Sequence, residues 1–308
     1  MRFAILAIGA ALAAVLAGFS TPLPAAADTI TVTVSPGCGT IAACIGAASP
    51  GDTVFIPAGT YTESATLDKA VSLIGAGASS AIWVAAPNDR ILTVTSPMTA
   101  STVIANLTFR GGNPGSGLAG GAMRLQADAQ PALRRLNFAS NTAAVGGAIS
   151  SYAGLNLADS EFTLNTSTVL TGGAIAAAGS VYVTRTNFYT NFAAADGGAL
   201  YVAFGAVSIL GGTYRQNGAN GSGGAMMIFG VDGALVEGVT LESNSAANGG
   251  GIASNSLLRL SNSILATNIA APGVGGGCWC GLGAIVTATQ FLGNTASGFA
   301  GGLYAEQT

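Results

Sequence analysis

From about residue 120 onward, hydrophobic positions follow two rhythms at once. Over short runs they alternate with small or polar residues. Met123/Leu125, Val181/Val183, Leu200/Val202 and Met226/Ile228 each share one parity, the period of a strand with one buried face. Over longer distances the runs themselves return. Glycine pairs begin at Gly120, Gly146, Gly172, Gly197, Gly223, Gly249, Gly275 and Gly301, at intervals of 26, 26, 25, 26, 26, 26 and 26 residues. A closing phrase keeps step with them: Phe138…Asn141, Phe162…Asn165, Phe188…Asn191, Tyr214…Asn217, Leu241…Asn244, Leu265…Asn268 and Phe291…Asn294. A fixed period of this length predicts a solenoid of stacked coils.

The physics of one coil gives the expected cross-section. A glycine pair marks a sharp turn into the next strand, because glycine reaches backbone angles closed to other residues. A lone coil cannot bury its own apolar face, so stability comes from stacking. Each strand should pair with its equivalents above and below at about 4.8 Å, placing identical residues over one another in a three-sided tube. That predicts a Phe/Tyr/Leu stack and a structural ladder of Asn141, Asn165, Asn191, Asn217, Asn244, Asn268 and Asn294. The asparagines tolerate left-handed turns, and their amides can pair along the axis.

The N-terminal part reads differently. Met1–Ala27 has a basic Arg2, an apolar stretch over Ala4–Phe19 and small residues at Ala25-Ala26-Ala27, the pattern of a signal peptide cleaved after Ala27. Thr29–Val34 alternates like a strand. Thr40–Ala48 has apolar residues at helical spacing and ends at the Ser49-Pro50-Gly51-Asp52 turn. Strands follow at Thr53–Ile56 and Val71–Ile74. The helix is expected to cover the open end of the stacked core. Beyond the leader no apolar run is long enough to span a bilayer as a helix.

The run AACIGAASPGDTVFIPAGTYTESATLDKAVSLIGAG resembles the N-terminal cap and first coils of right-handed parallel β-helix proteins of the pectin-lyase-like superfamily. The Gly-Gly-Ala-(Ile/Leu/Val) and Phe-x-x-Asn phrases from Gly120 onward resemble those of the polymorphic outer membrane protein family. The later coils drift, with Gly251 and Gly277 in place of the Ala and Leu241 and Leu265 in place of the Phe. Together the resemblances imply an all-β right-handed parallel β-helix of roughly ten coils with a short N-terminal capping helix. The expected division is a signal peptide over 1–27, a cap and first coils over 28–119, and repeat coils of the same β-helix over 120–308. Polymorphic outer membrane proteins are adhesin-like and usually carry a C-terminal barrel. This chain reaches Glu306-Gln307-Thr308 without one, so a fragment, or self-association through an uncapped last coil, is expected.

Composition narrows the function. Half of the 308 residues are hydrophobic, only 7% are charged and the net charge is −3, which leaves no polyelectrolyte face for nucleic acid. Histidine is absent, removing the usual general base and the commonest zinc ligand. No metal or cofactor is expected. The four cysteines fit export. Cys38 and Cys44 are placed to bridge, whereas Cys278 and Cys280, two apart on one strand, read as buried thiols because a direct bridge would be strained.

Counting back from the Phe/Tyr/Leu column places outward residues. Arg135, Asp159 and Arg185 fall three positions before it and form an expected charge ladder; Glu161 falls one before it. Asp159 and Glu161 should then share a strand face at about 7 Å. That spacing suits an inverting glycosidase pair, against an exposed ion-pair ladder of small energetic weight. The phrases that mark β-helix polysaccharide hydrolases (Asn-Thr-Asp, Asp-Asp, His-Gly, Arg-x-Lys) are missing from neighbouring coils. After the glycine pairs, Tyr201, Met227 and Trp279 form an outward stripe flanked by Tyr152 and Phe229; exposed aromatic rows stack on sugar rings or on protein partners. The expectation is a non-catalytic adhesion or binding module for surface glycans or host proteins, secreted or at the cell surface or outer membrane of a bacterium. The alternatives are a polysaccharide lyase or hydrolase using Asp159 and Glu161 with Arg135 and Arg185, and a structural surface spacer.

Overall fold

The computed structural model describes residues 28–31, 37–95, 97–230 and 233–306. The expected leader, Met1–Ala27, and the distal part of the expected first strand lie outside them. The chain is an all-β parallel β-solenoid of about ten turns, with 26 residues separating stacked partners such as Leu155 and Val181.

One winding shows the path. Leu155–Ala158 lies in an 11-stranded first sheet and Glu161–Thr163 in a 10-stranded second sheet. Thr166–Ser167 then belongs to a 7-stranded third sheet, and Ile175–Ala177 to a 10-stranded fourth. Val181–Thr184 returns to the first sheet one coil on. The tube therefore has four ladders rather than three sides. The third is only two residues wide and follows each ladder asparagine.

Three recurring positions in each coil hold left-handed backbone angles, and they make the corners. The first corner carries Arg135, Asp159, Arg185, Gly211, Gly238, Asn262 and Ala288, at φ between 45° and 70°. The second carries Ser140, Leu164, Thr190, Gln216, Ser243, Thr267 and Gly293. The left-handed residue is thus the one before each ladder asparagine and not the asparagine. The third corner is the first glycine of the pairs from Gly120 to Gly275, as at Gly172 with φ 68°, and Ala300 with φ 57° in the last coil. From Gly120 to Gly275 only this corner is always glycine. A Cβ on Gly172 would strike the Ile175 carbonyl, and one on Gly173 the Gly198 carbonyl of the next coil.

The ladder asparagines from Asn141 to Asn268 are buried, and those inside the ladder use their full hydrogen-bonding capacity. Asn191 Nδ2 donates to Asn217 Oδ1 at 2.9 Å and to the Phe162 carbonyl at 3.0 Å. Its Oδ1 accepts from Asn165 Nδ2 and from the Asn165 backbone N–H, at 2.9 and 3.0 Å. Beside the ladder, Trp83, Phe109, Phe138, Phe162, Phe188 and Tyr214 stack with centroids 4.6–5.6 Å apart. Tyr214 is the exception chemically: its hydroxyl is buried with no partner, and burial pushes the phenol far up from its ordinary value of 10.0.

The N-terminal helix, Ile41–Ala47, buries Ile41, Cys44 and Ile45 in the core. Thr40 Oγ1 accepts from the Ala43 N–H at 3.0 Å, and the Glu63 carboxylate accepts from Ile41 and Ala42. Lys69 Nζ donates to the Gly46 and Ala48 carbonyls at the other end, so both termini are capped. A disulfide joins Cys38 to Cys44 across a Cα separation of 5.0 Å. Cys278 and Cys280 are also joined, contrary to the expectation of thiols. Their shared inward parity brings the two sulfurs together in the core.

Two outcomes follow for stability. Asn191→Ala leaves two buried donors on Asn165 unpaired and takes one of two donors from Asn217 Oδ1, and should lower unfolding stability by about 3 kcal/mol, measured by denaturant melts. Tyr214→Phe removes an orphan hydroxyl and should raise stability by about 1 kcal/mol. The folded state holds this phenol neutral, so its contribution is complete below pH 10.0 and is lost as pH rises further. Wild type should therefore lose stability above that pH faster than the Tyr214→Phe variant.

Candidate binding surface

The outer face of the fourth sheet carries one residue per coil in exact register: Thr66, Thr93, Arg124, Ser150, Ala176, Tyr201, Met227, Ala253, Trp279 and Tyr304. Ser150 and Ala176 point outward yet are buried. Small side chains here leave the middle of the face recessed between the loops that enter and leave each strand. The recess is a groove of about 140 Å³ with Ser150, Ala176 and Tyr201 along its floor. Val145 and Thr171 line it where strands begin, and Tyr152 where one ends.

The two tyrosines give the groove its character. Tyr152 is 50% exposed, and the Arg124 guanidinium lies 5.1 Å from its ring centroid, within cation–π range. Tyr201 is half-buried, with its ring 5.8 Å from that of Phe229. Burial, and then the charge of Asp196, push its phenol above the ordinary range, so the hydroxyl stays a neutral donor. Of the other expected stripe residues, Met227 is 2% exposed and offers little to a partner: its parity is outward, but it is covered. Trp279 stands farther along, its Nε1 donating to Glu306 Oε1 at 3.0 Å. Tyr152, Tyr201 and Phe229 are thus brought together, and Trp279 is set apart from them by Met227 and Ala253.

The carboxylates lie elsewhere, between the first and second sheets. Asp159 is a left-handed corner residue and Glu161 the first residue of the next strand, so they do not sit two apart on one strand. Arg185 holds Asp159 through two hydrogen bonds of 2.7 and 3.0 Å. Those bonds, helped by the charges of Arg185, Arg135 and Arg134, hold the Asp159 carboxyl below its ordinary range against a smaller upward push from desolvation. Arg135 turns instead to Asn106, its Nε donating to Oδ1 at 2.7 Å. The expected three-member ladder is one bidentate pair and one separate arginine. A carboxylate kept ionised this way is poorly suited to the general-acid half of glycoside cleavage, which needs a protonated group.

Arg90 is the polar residue of this face that the periodicity leaves unassigned. Its Nε and Nη2 donate to the Gly120 and Ala119 carbonyls, both at 2.7 Å, and Nη1 to Thr93 Oγ1 at 3.2 Å. Among the described residues no group of three or more Cys, Asp or Glu side chains is placed to hold a metal ion, and no helix is long and apolar enough to cross a membrane.

No protein-family model matches the chain, and no curated protein matches it. Solved structures of similar fold include the catalytic domain of a GH87 alpha-1,3-glucanase in complex with nigerose, at 13% identity and a TM-score of 0.36, covering 92% of this chain and 68% of that one. Another is the A-module of a mannuronan C-5 epimerase from Azotobacter vinelandii, at 13% identity and a TM-score of 0.35, covering 83% of this chain and 91% of the other. Neither likeness bears on the chemistry of this chain's own residues.

Proposed function

We propose that this chain is an exported glycan-binding solenoid that lays an extended saccharide along the outer face of its fourth sheet. One observation carries the reading: Tyr152 and Tyr201 border a groove whose floor is kept low by Ser150 and Ala176. Sugar rings present apolar faces that stack on such aromatic side chains, and small floor residues let a ring approach the sheet. A repeat of about 4.8 Å between coils offers an extended chain regularly spaced contacts instead of one closed pocket. The leader-like Met1–Ala27 segment, and the resemblance of the Gly-Gly-Ala and Phe-x-x-Asn phrases to polymorphic outer membrane proteins, support work outside the cell, in adhesion.

Cleavage of the bound saccharide by Asp159 and Glu161 is the competing reading. The capture of Asp159 by Arg185 and the placement of both carboxylates outside the groove weigh against it.

The two readings separate in one set of measurements. On a glycan array, wild type should retain a defined subset of saccharides. Replacing Tyr152 and Tyr201 together by Ala should weaken retention by about tenfold. Asp159→Asn with Glu161→Gln should leave retention unchanged and reveal no lost turnover on acidic or neutral polysaccharides. Undiminished retention by the double tyrosine variant sinks the groove, and turnover lost with the carboxylates moves the function to catalysis.

A further inference from the structure

At the N-terminal end of the same face, two arginines come together, with Asp89 as the acid beside Arg90. Thr66, Thr93 and Arg124 succeed one another in register, and Arg90 lies against Thr93. Among the described residues the ion pairs are Arg185–Asp159 and Arg215–Glu242, so neither Arg90 nor Arg124 is in one. After burial, the charge of Arg124 is the next cause that pushes the Arg90 guanidinium down from its ordinary value. Beside them opens a recess of about 360 Å³ lined by Ser64, Thr66, Asp89, Arg90 and Thr93. Two polar atoms here are buried with no hydrogen-bond partner, Ser64 Oγ and Arg124 Nε, an arrangement that native structures rarely leave unexplained.

Two acids stand nearby, and the charge of Asp89, which lines the recess, pushes the Arg90 guanidinium back up. Asp89 Oδ1 accepts the Arg90 backbone N–H at 2.7 Å, and both oxygens of Glu63 face the helix N-terminus. A guanidinium has five N–H donors; Arg90 uses three on the carbonyls and Thr93, which leaves two. Orphan donors therefore come from a second arginine and a serine as well, more than the two oxygens of a single fork would use. That suits a group with three terminal oxygens better than a planar carboxylate.

We infer that Arg90 and Arg124, with Ser64 and Thr66, bind a sulfate ester carried by the saccharide in the adjoining groove. This rests on the glycan reading above. The arginine pair would receive the substituent, and Tyr152, stacked on Arg124, would join the anionic end of the ligand to its ring-stacking part. The protein's net charge of −3 makes affinity for a polyanion informative, because it has to arise from a local cluster and not from the whole molecule.

The test uses the full chain and three polymers that share one backbone: dextran, carboxymethyl-dextran and dextran sulfate. Wild type should bind dextran sulfate most tightly, with an affinity that falls as salt rises. Arg124→Gln should weaken that binding by about tenfold. Arg90→Ala also releases two backbone carbonyls, so Arg90→Lys is the second variant. It keeps the charge, loses the fork and should lose a similar factor with unchanged melting. Arg215→Gln, which removes an arginine already paired with Glu242, should change nothing. Equal binding of carboxymethyl-dextran and dextran sulfate overturns the sulfate assignment, and so does sulfate binding insensitive to Arg124→Gln and Arg90→Lys. If array retention needs Tyr152 and Tyr201 but not the arginines, the groove stands and this inference falls. If dextran sulfate binding needs the arginines but not the tyrosines, the anion site stands and the groove reading falls.

Discussion

Each coil depends on the next for hydrogen bonds it cannot make itself, and the asparagine ladder is where that dependence is most complete. An amide side chain has two donor hydrogens and an oxygen that accepts twice. In this core each is matched by the coil on one side or the other, as at Asn191. The amide thereby fixes three things together: the spacing of the coils, their axial register, and the corner between the second and third sheets. A slip of one residue would break four bonds at once in a site that water does not reach. The aromatic stack adds area and dispersion to the same register, with the Phe138, Phe162 and Phe188 rings stacked nearly parallel, at 9–12°. Because register is held inside, residues on the outside fall into straight columns, and a groove can run across several coils without any loop being built to form it.

The same coupling decides what the sequence discloses. The period is visible because its glycines are required by contact with neighbouring backbone, and the Phe and Asn positions are visible because each must match the coils beside it. The two other corners leave no such mark. Their left-handed residues face solvent, so Arg135, Asp159, Leu164, Thr190 and Ala288 all occupy them at a cost of about 1–2 kcal/mol apiece relative to ordinary backbone. With no shared residue type, Asp159 reads as part of a strand and acquires a false partner in Glu161. The stripe was legible at Tyr152 and Tyr201, but parity alone does not tell that Met227 is covered. Arg90 was hidden for another reason. Stacked partners on the fourth sheet are 27 residues apart from Ala65 to Leu92, 31 from Leu92 to Met123, and 26 only from Met123 to Ile149. Counting by 26 loses the column before Gly120, and with it the residues that extend the groove.

Charge on a stacked solenoid obeys a constraint of its own. In-register coils place equivalent side chains about 4.8 Å apart, so like charges in one column repel unless an opposite charge or a neutral residue intervenes. The first and second sheets observe this. Arg185 meets Asp159 and Arg215 meets Glu242 across adjacent coils, while Arg135 is set against the neutral Asn106. Of the 10 basic residues in the chain, such pairing ties up Arg185 and Arg215, and it holds the most conspicuous carboxylate, Asp159, against an arginine.

The fourth sheet departs from that pattern at one end only. Arg90 is held in place by backbone carbonyls and a hydroxyl, groups that orient a guanidinium but do not neutralise it. Arg124 is held against a tyrosine ring, which stabilises a cation without removing its charge. Both are therefore fixed in position and still positive, half-buried where solvent screens least. A folded chain tolerates two such neighbours at a cost in stability, and that cost is relieved by an anion seated between them. Asp89 offsets part of that charge from beside Arg90, but it forms an ion pair with neither arginine. On the reading proposed above, an anionic ligand supplies the remaining charge, and the groove that begins at Tyr152 is the path along which its saccharide would lie.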